Sequence, residues 1–482
     1  MTALAHALRH QIAMATARSP RLSGEDLSFW RLDSPRQPTT MAMLMVLDRP
    51  PDPDRVRLAF DRAAAAVPRL TQRVAEAPLG ITLPHWEDDP ACDFDYHVRC
   101  HRLSGKADMA ELFREITPAY ESPFDRSRPL WEARLYDGVE GDRAALFFKL
   151  HHAVADGIGG NAIFAAMTDW QRQPDPAAQP ARPHAWKGDW SGEPGIGRRL
   201  LDAVEDRISL DLERAREVAG AVVDAIEHPS KLVRVGEMVR SVVNTATFDS
   251  HSPLKKRAGR ARRLTGLELP FEEVRALKRA LGGCTIDVIL TIMARAIGKW
   301  HSQHRIPGVE ELMTLVPVNL RRPEEWTEKA DTGNVSTGIL VPLPIRKRGV
   351  LALHSEIVAR MEEKKKDPAS QAVPALADLL SVLPRGLFSW LGESTFGKID
   401  FIVTNVPGIL VPRFFAGSEI VAAYPFAPVA MQSPVSVALY GYREHLHVGI
   451  TSDEAIMPDI ERFQNDIVAA FDELKARASR RR

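Results

Sequence analysis

Residues 39–48 form an almost unbroken apolar run, too short for a core helix, and predict a buried strand. The Asp-rich segment after it opens a helix over 54–67, which Pro68 ends. A second apolar run, Ala144 to Leu150, carries two aromatics and is bounded by Gly141-Asp142, so it too reads as a strand. Asp156 and Gly157 then open a helix with Ile158, Ala162, Ile163, Ala166 and Met167 on its apolar side. After Trp170 the pattern breaks. Pro174, Pro176, Pro180, Pro183 and Pro194 mark a linker. Residues 196–248 follow as a charged stretch with Leu, Val and Ile recurring every three or four positions, which predicts a helical connector.

Alternation resumes near 265. A helix over 271–281 stops at Gly282-Gly283, and Thr285 is the expected N-cap of the next, whose stripe is Ile289, Ile292, Met293, Ala296 and Trp300. Strands are expected near 313–319, 338–345, 399–406, 434–440 and 446–451, the last two joined by a turn at Tyr440-Gly441-Tyr442-Arg443-Glu444. A closing amphipathic helix covers 459–477. These elements predict an α/β (α+β) chain of four parts: an extension over 1–21, an N-terminal domain over 22–175, a Pro-rich then helical connector over 176–264, and a C-terminal domain over 265–478.

Composition narrows the class. Of 482 residues 45% are apolar and 26% charged, the profile of a globular protein with large cores. The 63 basic and 63 acidic residues cancel, which argues against a general nucleic-acid binder. Cys92, Cys100 and Cys284 give neither a disulfide framework nor a zinc motif, and point to a reducing, cytoplasmic compartment. No uninterrupted apolar run reaches about 18 residues, the length a spanning helix needs. The first 24 residues hold no acid, but His6, Arg9, His10 and Gln11 interrupt the apolar centre that a secretory signal requires.

The candidate chemistry lies at His151-His152-Ala153-Val154-Ala155-Asp156-Gly157, between a strand and a helix. Strand neighbours point to opposite faces, so one imidazole can address a cavity while the other holds the backbone. Asp156 can cap exposed N–H groups or pair with an arginine, and Gly157 allows close packing or an unusual φ. A histidine near its ordinary pKa can take a hydroxyl proton and return it to a leaving thiolate. Periodicity alone suits a structural histidine pair equally well. His152 and Asp156 also have i, i+4 spacing for a metal, but further ligands are not evident nearby. The glycines form neither GxGxxG nor a P-loop, and the chain has no GxSxG elbow.

The segment matches the HHxxxDG signature of CoA-dependent acyltransferases, and the chain as a whole resembles the bacterial wax ester synthase/diacylglycerol acyltransferase family. The blocks that carry the resemblance run in order from about residue 22 to 475: Leu22-Ser23-x-x-Asp26; Trp86 with Phe94-Asp95-Tyr96-His97-Val98; Arg126-Ser127-Arg128-Pro129-Leu130-Trp131-Glu132; the histidine pair; Val316-Pro317-Val318-Asn319-Leu320-Arg321; Gly333-Asn334; and Thr404-Asn405-Val406-Pro407-Gly408. The resemblance implies two chloramphenicol-acetyltransferase-like domains, each a mixed sheet flanked by helices and joined by a long helical connector. It implies His152 as catalytic base, with His151, Asp156 and Gly157 in support, and transfer from acyl-CoA as co-substrate without a cofactor, metal or acyl-enzyme. The acceptor would be a long-chain alcohol or diacylglycerol, met at a membrane or lipid-inclusion surface that the chain does not span. Another hydroxyl acceptor, or a non-catalytic lipid-binding member, are the alternatives. Pro129, Leu130 and Trp131 match a motif that shapes the fold and lipid channel.

Two departures bear on the site. Thr285-Ile286-Asp287 stands where the family reads an Asn-Asp pair, so Ile286 replaces an amide, and any hydrogen bond it made must come from another group, with Asn405 a candidate, while Asp287 is retained. The family's Thr-Pro-Leu-Asn becomes Ser252-Pro253-Leu254-Lys255 and runs on through Lys256, Arg257, Arg260, Arg262 and Arg263, a basic run suited to CoA phosphates or lipid headgroups, or else a solvated linker end.

Overall fold

Two six-stranded sheets, each backed by helices, make up the protein in a computed structural model that describes residues 21–35, 37–174, 195–227, 248–255, 259–319, 336–346, 349–367, 397–429 and 433–480. The chain runs through α1 (Gly24–Leu32), β1 (Thr40–Leu47), α2 (Pro53–Ala66), β2 (Gln72–Ala75), β3 (His85–Asp88), α3 (Phe94–His97), β4 (Val98–Arg102), α4 (Met109–Glu121), β5 (Trp131–Val139), β6 (Arg143–His151) and α5 (Gly157–Met167). The connector helix α6 (Ile196–Glu227) follows. The rest is β7 (Arg262–Pro270), α7 (Phe271–Leu281), α8 (Thr285–Gln303), β8 (Glu311–Asn319), β9 (Ser336–Pro344), α9 (Val350–Lys366), β10 (Phe401–Ile409), β11 (Phe414–Phe415), β12 (Ser418–Phe426), β13 (Val435–Tyr442), β14 (His445–Asp453) and α10 (Ile460–Ser479).

Local chemistry explains many boundaries. Asp52 accepts from the N–H groups of Asp54 and Arg55 at the start of α2, Pro53 has no N–H to lose there, and Val67, just before Pro68, leaves the helical region. α7 ends at Gly282, whose φ of 84° few other residues tolerate. The expected cap of α8 is displaced by one residue. Cys284 is the N-cap, Thr285 is already helical, and the Asp287 carboxylate accepts the Cys284 N–H at 2.6 Å.

The first sheet has the order β11-β12-β1-β6-β5-β4, and the second β7-β14-β13-β10-β8-β9. Thus β11 and β12, which lie between β10 and β13 in sequence, leave the second sheet and join the first. β12 pairs antiparallel with β1, with Leu44 opposite Tyr424. α2 and α5 pack on one face of this sheet, and α4 on the other, against Leu44, Val46, Tyr424 and Phe426. The crossing is pinned by buried polar contacts. Arg413, 2% exposed, donates to the carbonyls of Ala165 and Thr168 at the end of α5, and Tyr120 Oη donates toward the carbonyls of Thr40 and Ala427. The second half has its own apolar core, built from α8, α9 and α10 against its sheet.

The basic run does not form one solvated patch. Arg262 opens β7 and is buried against Asp453, with Nη1 to Oδ2 at 2.9 Å, so it is not available to phosphates. Arg263 is held by Glu461 at 2.6 Å and lies near Glu454. Arg260 is exposed. The Lys255 side chain, Lys256 and Arg257 lie outside the described residues, as do Gly333-Asn334 and the extension over 1–20.

Candidate active site

β6 ends at His151, and residues 152–154 turn away before α5 begins at Gly157. The turn is fixed by its own backbone. Leu130 of the Pro129-Leu130-Trp131 motif accepts the His151 N–H at 2.9 Å, and Thr39 accepts the His152 N–H at 2.8 Å. Trp131 is wholly buried, stacked between Phe60 and His97, and donates Nε1–H to the Leu70 carbonyl at 2.7 Å. That motif is therefore scaffold, with one carbonyl directed at the histidine pair.

The two imidazoles have different surroundings. His151 is 1% exposed. Its Nδ1 accepts the Ala153 N–H at 3.0 Å, and a backbone amide can only donate, so Nδ1 carries no proton. The proton sits on Nε2, 2.9 Å from Thr39 Oγ1. Burial, above all, pushes its pKa down to about 4, with Arg126 and His152 adding to the effect against the pull of Asp33. His151 is thus a neutral brace. His152 is half-buried, and its ring stacks on Phe29 with centroids 3.8 Å apart and planes 15° from parallel.

Asp156 Oδ1 accepts the Gly159 N–H at 2.7 Å and so caps α5. Gly157 serves close packing and not an unusual φ, since it lies in the helix and a Cβ there would come within 2.9 Å of Val406 Cγ2. Asn161, one turn on, donates Nδ2–H to the Pro407 carbonyl at 2.6 Å. These contacts bring the Thr404-Asn405-Val406-Pro407-Gly408 segment of the second sheet against the start of α5. β10 pairs with β8 only through Phe401 and Ile402, while its ladder with β13 runs through Val406 and, past an irregularity, to Ile409, and Asn405 on this stretch is exposed. A locked, neutral His151 thus stands beside a partly exposed His152, on a turn that leads into a helix packed against β10.

Positions 286 and 287 do different work. Ile286 packs against the apolar core of the second half, and Asp287 caps its own helix. Sequence reading missed Thr39, Asp33 and Phe29. Asp33 Oδ1 accepts the Thr39 N–H at 3.0 Å, and its Oδ2 lies 3.1 Å from Arg126 Nη2, so it steadies the residue that His151 meets. The helical spacing from Ser23-x-x-Asp26 on through Phe29 and Asp33 is the signal that could have found them. Among the described residues no group of three or more His, Cys, Asp or Glu side chains is disposed to hold a metal ion.

Neutral histidine burial sets a pH dependence. His97, His151 and His447 are all pushed down to about 4, in each case chiefly by burial. The unfolded chain protonates histidines near 6.5, so between about 6.5 and 4 it binds more protons than the folded chain, and stability falls as pH drops through that window. The urea midpoint should be clearly lower at pH 5 than at pH 7.5. An equal midpoint would contradict neutral burial.

Residues 22–289 match the model of the wax ester synthase/diacylglycerol acyltransferase catalytic domain, and residues 332–475 that of its C-terminal domain. A putative diacylglycerol O-acyltransferase of Mycobacterium tuberculosis is 31% identical over 475 residues, covering 96% of this chain and 94% of its own. Among solved structures, the wax ester synthase/diacylglycerol acyltransferase from Marinobacter aquaeolei VT8 superposes with a TM-score of 0.64 at 19% identity, over 95% of this chain and 100% of its own. A starter condensation domain of rhizomide synthetase, solved with C8-CoA and Leu-SNAC, gives 0.59 at 14% identity over 97% and 96%. The expected two-domain fold of mixed sheets flanked by helices is borne out.

Proposed function

Because the chain belongs to the wax ester synthase/diacylglycerol acyltransferase family, and so is an acyltransferase that draws on acyl-CoA, we propose that His152 is the general base in direct transfer of the acyl group from the thioester to a long-chain alcohol or diacylglycerol. The observation that carries this reading is the division of labour in the pair. His151 is locked, buried and neutral, whereas His152 is only half-buried, on a turn braced from both sides.

In the proposed reaction His152 takes the proton of the acceptor hydroxyl as its oxygen bonds to the thioester carbonyl carbon. The negative charge that develops on the carbonyl oxygen needs donors, and we assign one of them to Asn405, exposed on the β10 stretch that meets the start of α5, or to a backbone N–H there. The carbon–sulfur bond then breaks, and the proton on His152 passes to sulfur, releasing free CoA and ester. These transfers balance without a cofactor or an enzyme nucleophile.

Offering hexadecanol and diacylglycerol together with palmitoyl-CoA tests the acceptor class. Wax ester, triacylglycerol or both should form in step with free CoA. Ester formation only on a short or unrelated alcohol would overturn the acceptor assignment, and lipid binding without CoA release would overturn catalysis altogether.

We place this chemistry at a lipid surface. No single described helix is long and apolar enough to cross a membrane. The support is a row on α6: Leu201, Val204, Ile208 and Leu212 are exposed on the side opposite buried Ala203 and Leu210. Arg198 pairs with Asp202 and Arg207 with Asp211 along the same helix, so the row suits neutral lipid better than anionic headgroups. Leu201→Ser combined with Ile208→Ser should reduce co-flotation with a triolein emulsion several-fold while leaving the rate on dispersed short-chain substrates unchanged. Undiminished flotation would remove α6 from the contact.

A further inference from the structure

The peptide segment just after His152 is braced by a side chain that the proposed reaction does not use. Arg69 lies on the short turn of 3-10 helix that follows α2. Its Nη1 donates to two successive carbonyls, those of Ala153 and Val154, both at 3.1 Å. Its Nη2 lies 3.1 Å from Asp26 Oδ2, and its guanidinium sits over the Trp86 ring, 4.9 Å from the centroid. Asp26 is wholly buried, while the Arg69 side chain is 16% exposed. A planar guanidinium can bridge two carbonyls and a carboxylate at once, which a lysine ammonium on a flexible stem cannot do with fixed geometry.

Asp26 also belongs to a larger arrangement. On α1 the spacing Asp26, Phe29, Trp30, with Asp33 just past the helix end, puts four side chains along one face. Asp26 reaches Arg69, Phe29 stacks on His152, Trp30 meets the His151 ring edge-on at 5.9 Å, and Asp33 holds Thr39. One helix face therefore addresses both imidazoles, and Arg69 carries its hold across to the carbonyls beyond them.

We propose that Arg69, anchored by Asp26, is a positioning residue that fixes the turn after His152 and so sets the direction of the His152 imidazole toward the acceptor hydroxyl. This rests on the reading of His152 as the base. A misdirected imidazole lowers the rate of proton transfer without changing how either substrate is bound.

Arg69→Met alone leaves the Asp26 carboxylate buried without its cation and can unfold the protein. The informative variant is therefore Arg69→Met with Asp26→Asn, which removes both charges, together with Arg69→Lys. In the double variant kcat should fall about 30-fold with both KM values within twofold of wild type, and amide exchange over 152–157 should rise at least tenfold while β13 and β14 stay protected. Arg69→Lys should recover part of kcat. Activity per folded molecule within twofold of wild type, or a rise in KM with kcat intact, would overturn the proposal. So would unchanged exchange over 152–157. The exchange readout needs no turnover, so failure of this pair is distinguishable from failure of the proposed reaction, which would show instead as a wild-type enzyme that releases no CoA.

Discussion

His152→Ala should lower acyl transfer by roughly two to four orders of magnitude, the loss expected when a general acid/base is removed. On the free-energy scale that is about 3–5 kcal/mol of transition-state stabilisation, at about 1.4 kcal/mol per tenfold. The fold should survive, because His152 is partly exposed and the turn that carries it is held through its backbone, at the carbonyls of Leu130 and Thr39. Replacing His151 should act differently. Its ring holds the Ala153 N–H and meets Thr39 from a buried position, so stability and turnover should fall together. Steady-state release of CoA, measured beside thermal unfolding of each variant, separates the two. A His152→Ala enzyme with wild-type turnover would remove the assigned base.

The second large effect lies where β12 crosses β14. At Gly449 on β14 a Cβ would run into the carbonyl oxygen of Pro425 on β12, a clash no rotamer change can relieve because that oxygen belongs to the backbone. Its cross-strand partner is Gly266, where a Cβ would meet the Tyr424 ring at 2.6 Å. The glycine pair makes the flat place on the second sheet against which the crossing strand of the first is laid. Gly449→Ala should therefore cost about 3 kcal/mol or more, the upper end of overpacking penalties, and Gly266→Ala less, since a ring can shift. Comparison of urea midpoints checks this. A Gly449→Ala protein as stable as wild type would contradict the close approach of β12 and β14.

This crossing is also where sequence reading stopped. The strand over 39–48, the helices over 54–67 and 271–281, and the turn at 440–444 all follow from periodicity and punctuation, and the structure has them within a few residues. Ser418–Phe426 has the composition of a strand, but nothing local says that it pairs with Thr40–Leu47 and not with its sequence neighbours. Arg262 looked like part of a solvated basic run because its partner, Asp453, lies far along the chain. Charge alone does not report burial. In the site, the order of the motif blocks exposed His151, His152, Asp156 and Gly157. The neighbours that give those residues distinct roles (Thr39, Asp33 and Phe29) come together only through the pairing of β1 with β6 and the packing of α1. Trp131 shows the converse: a motif residue whose place in the core fits its expected role in shaping the fold.

Direct transfer from thioester to hydroxyl by His152 is tested most directly by single turnover of excess enzyme with radiolabelled palmitoyl-CoA. With hexadecanol and diacylglycerol present, free CoA and labelled ester should appear together, with no label on the protein. Without an acceptor, CoA should be released only slowly. A rapid burst of CoA in the absence of acceptor, with label retained on the denatured protein, would contradict the account.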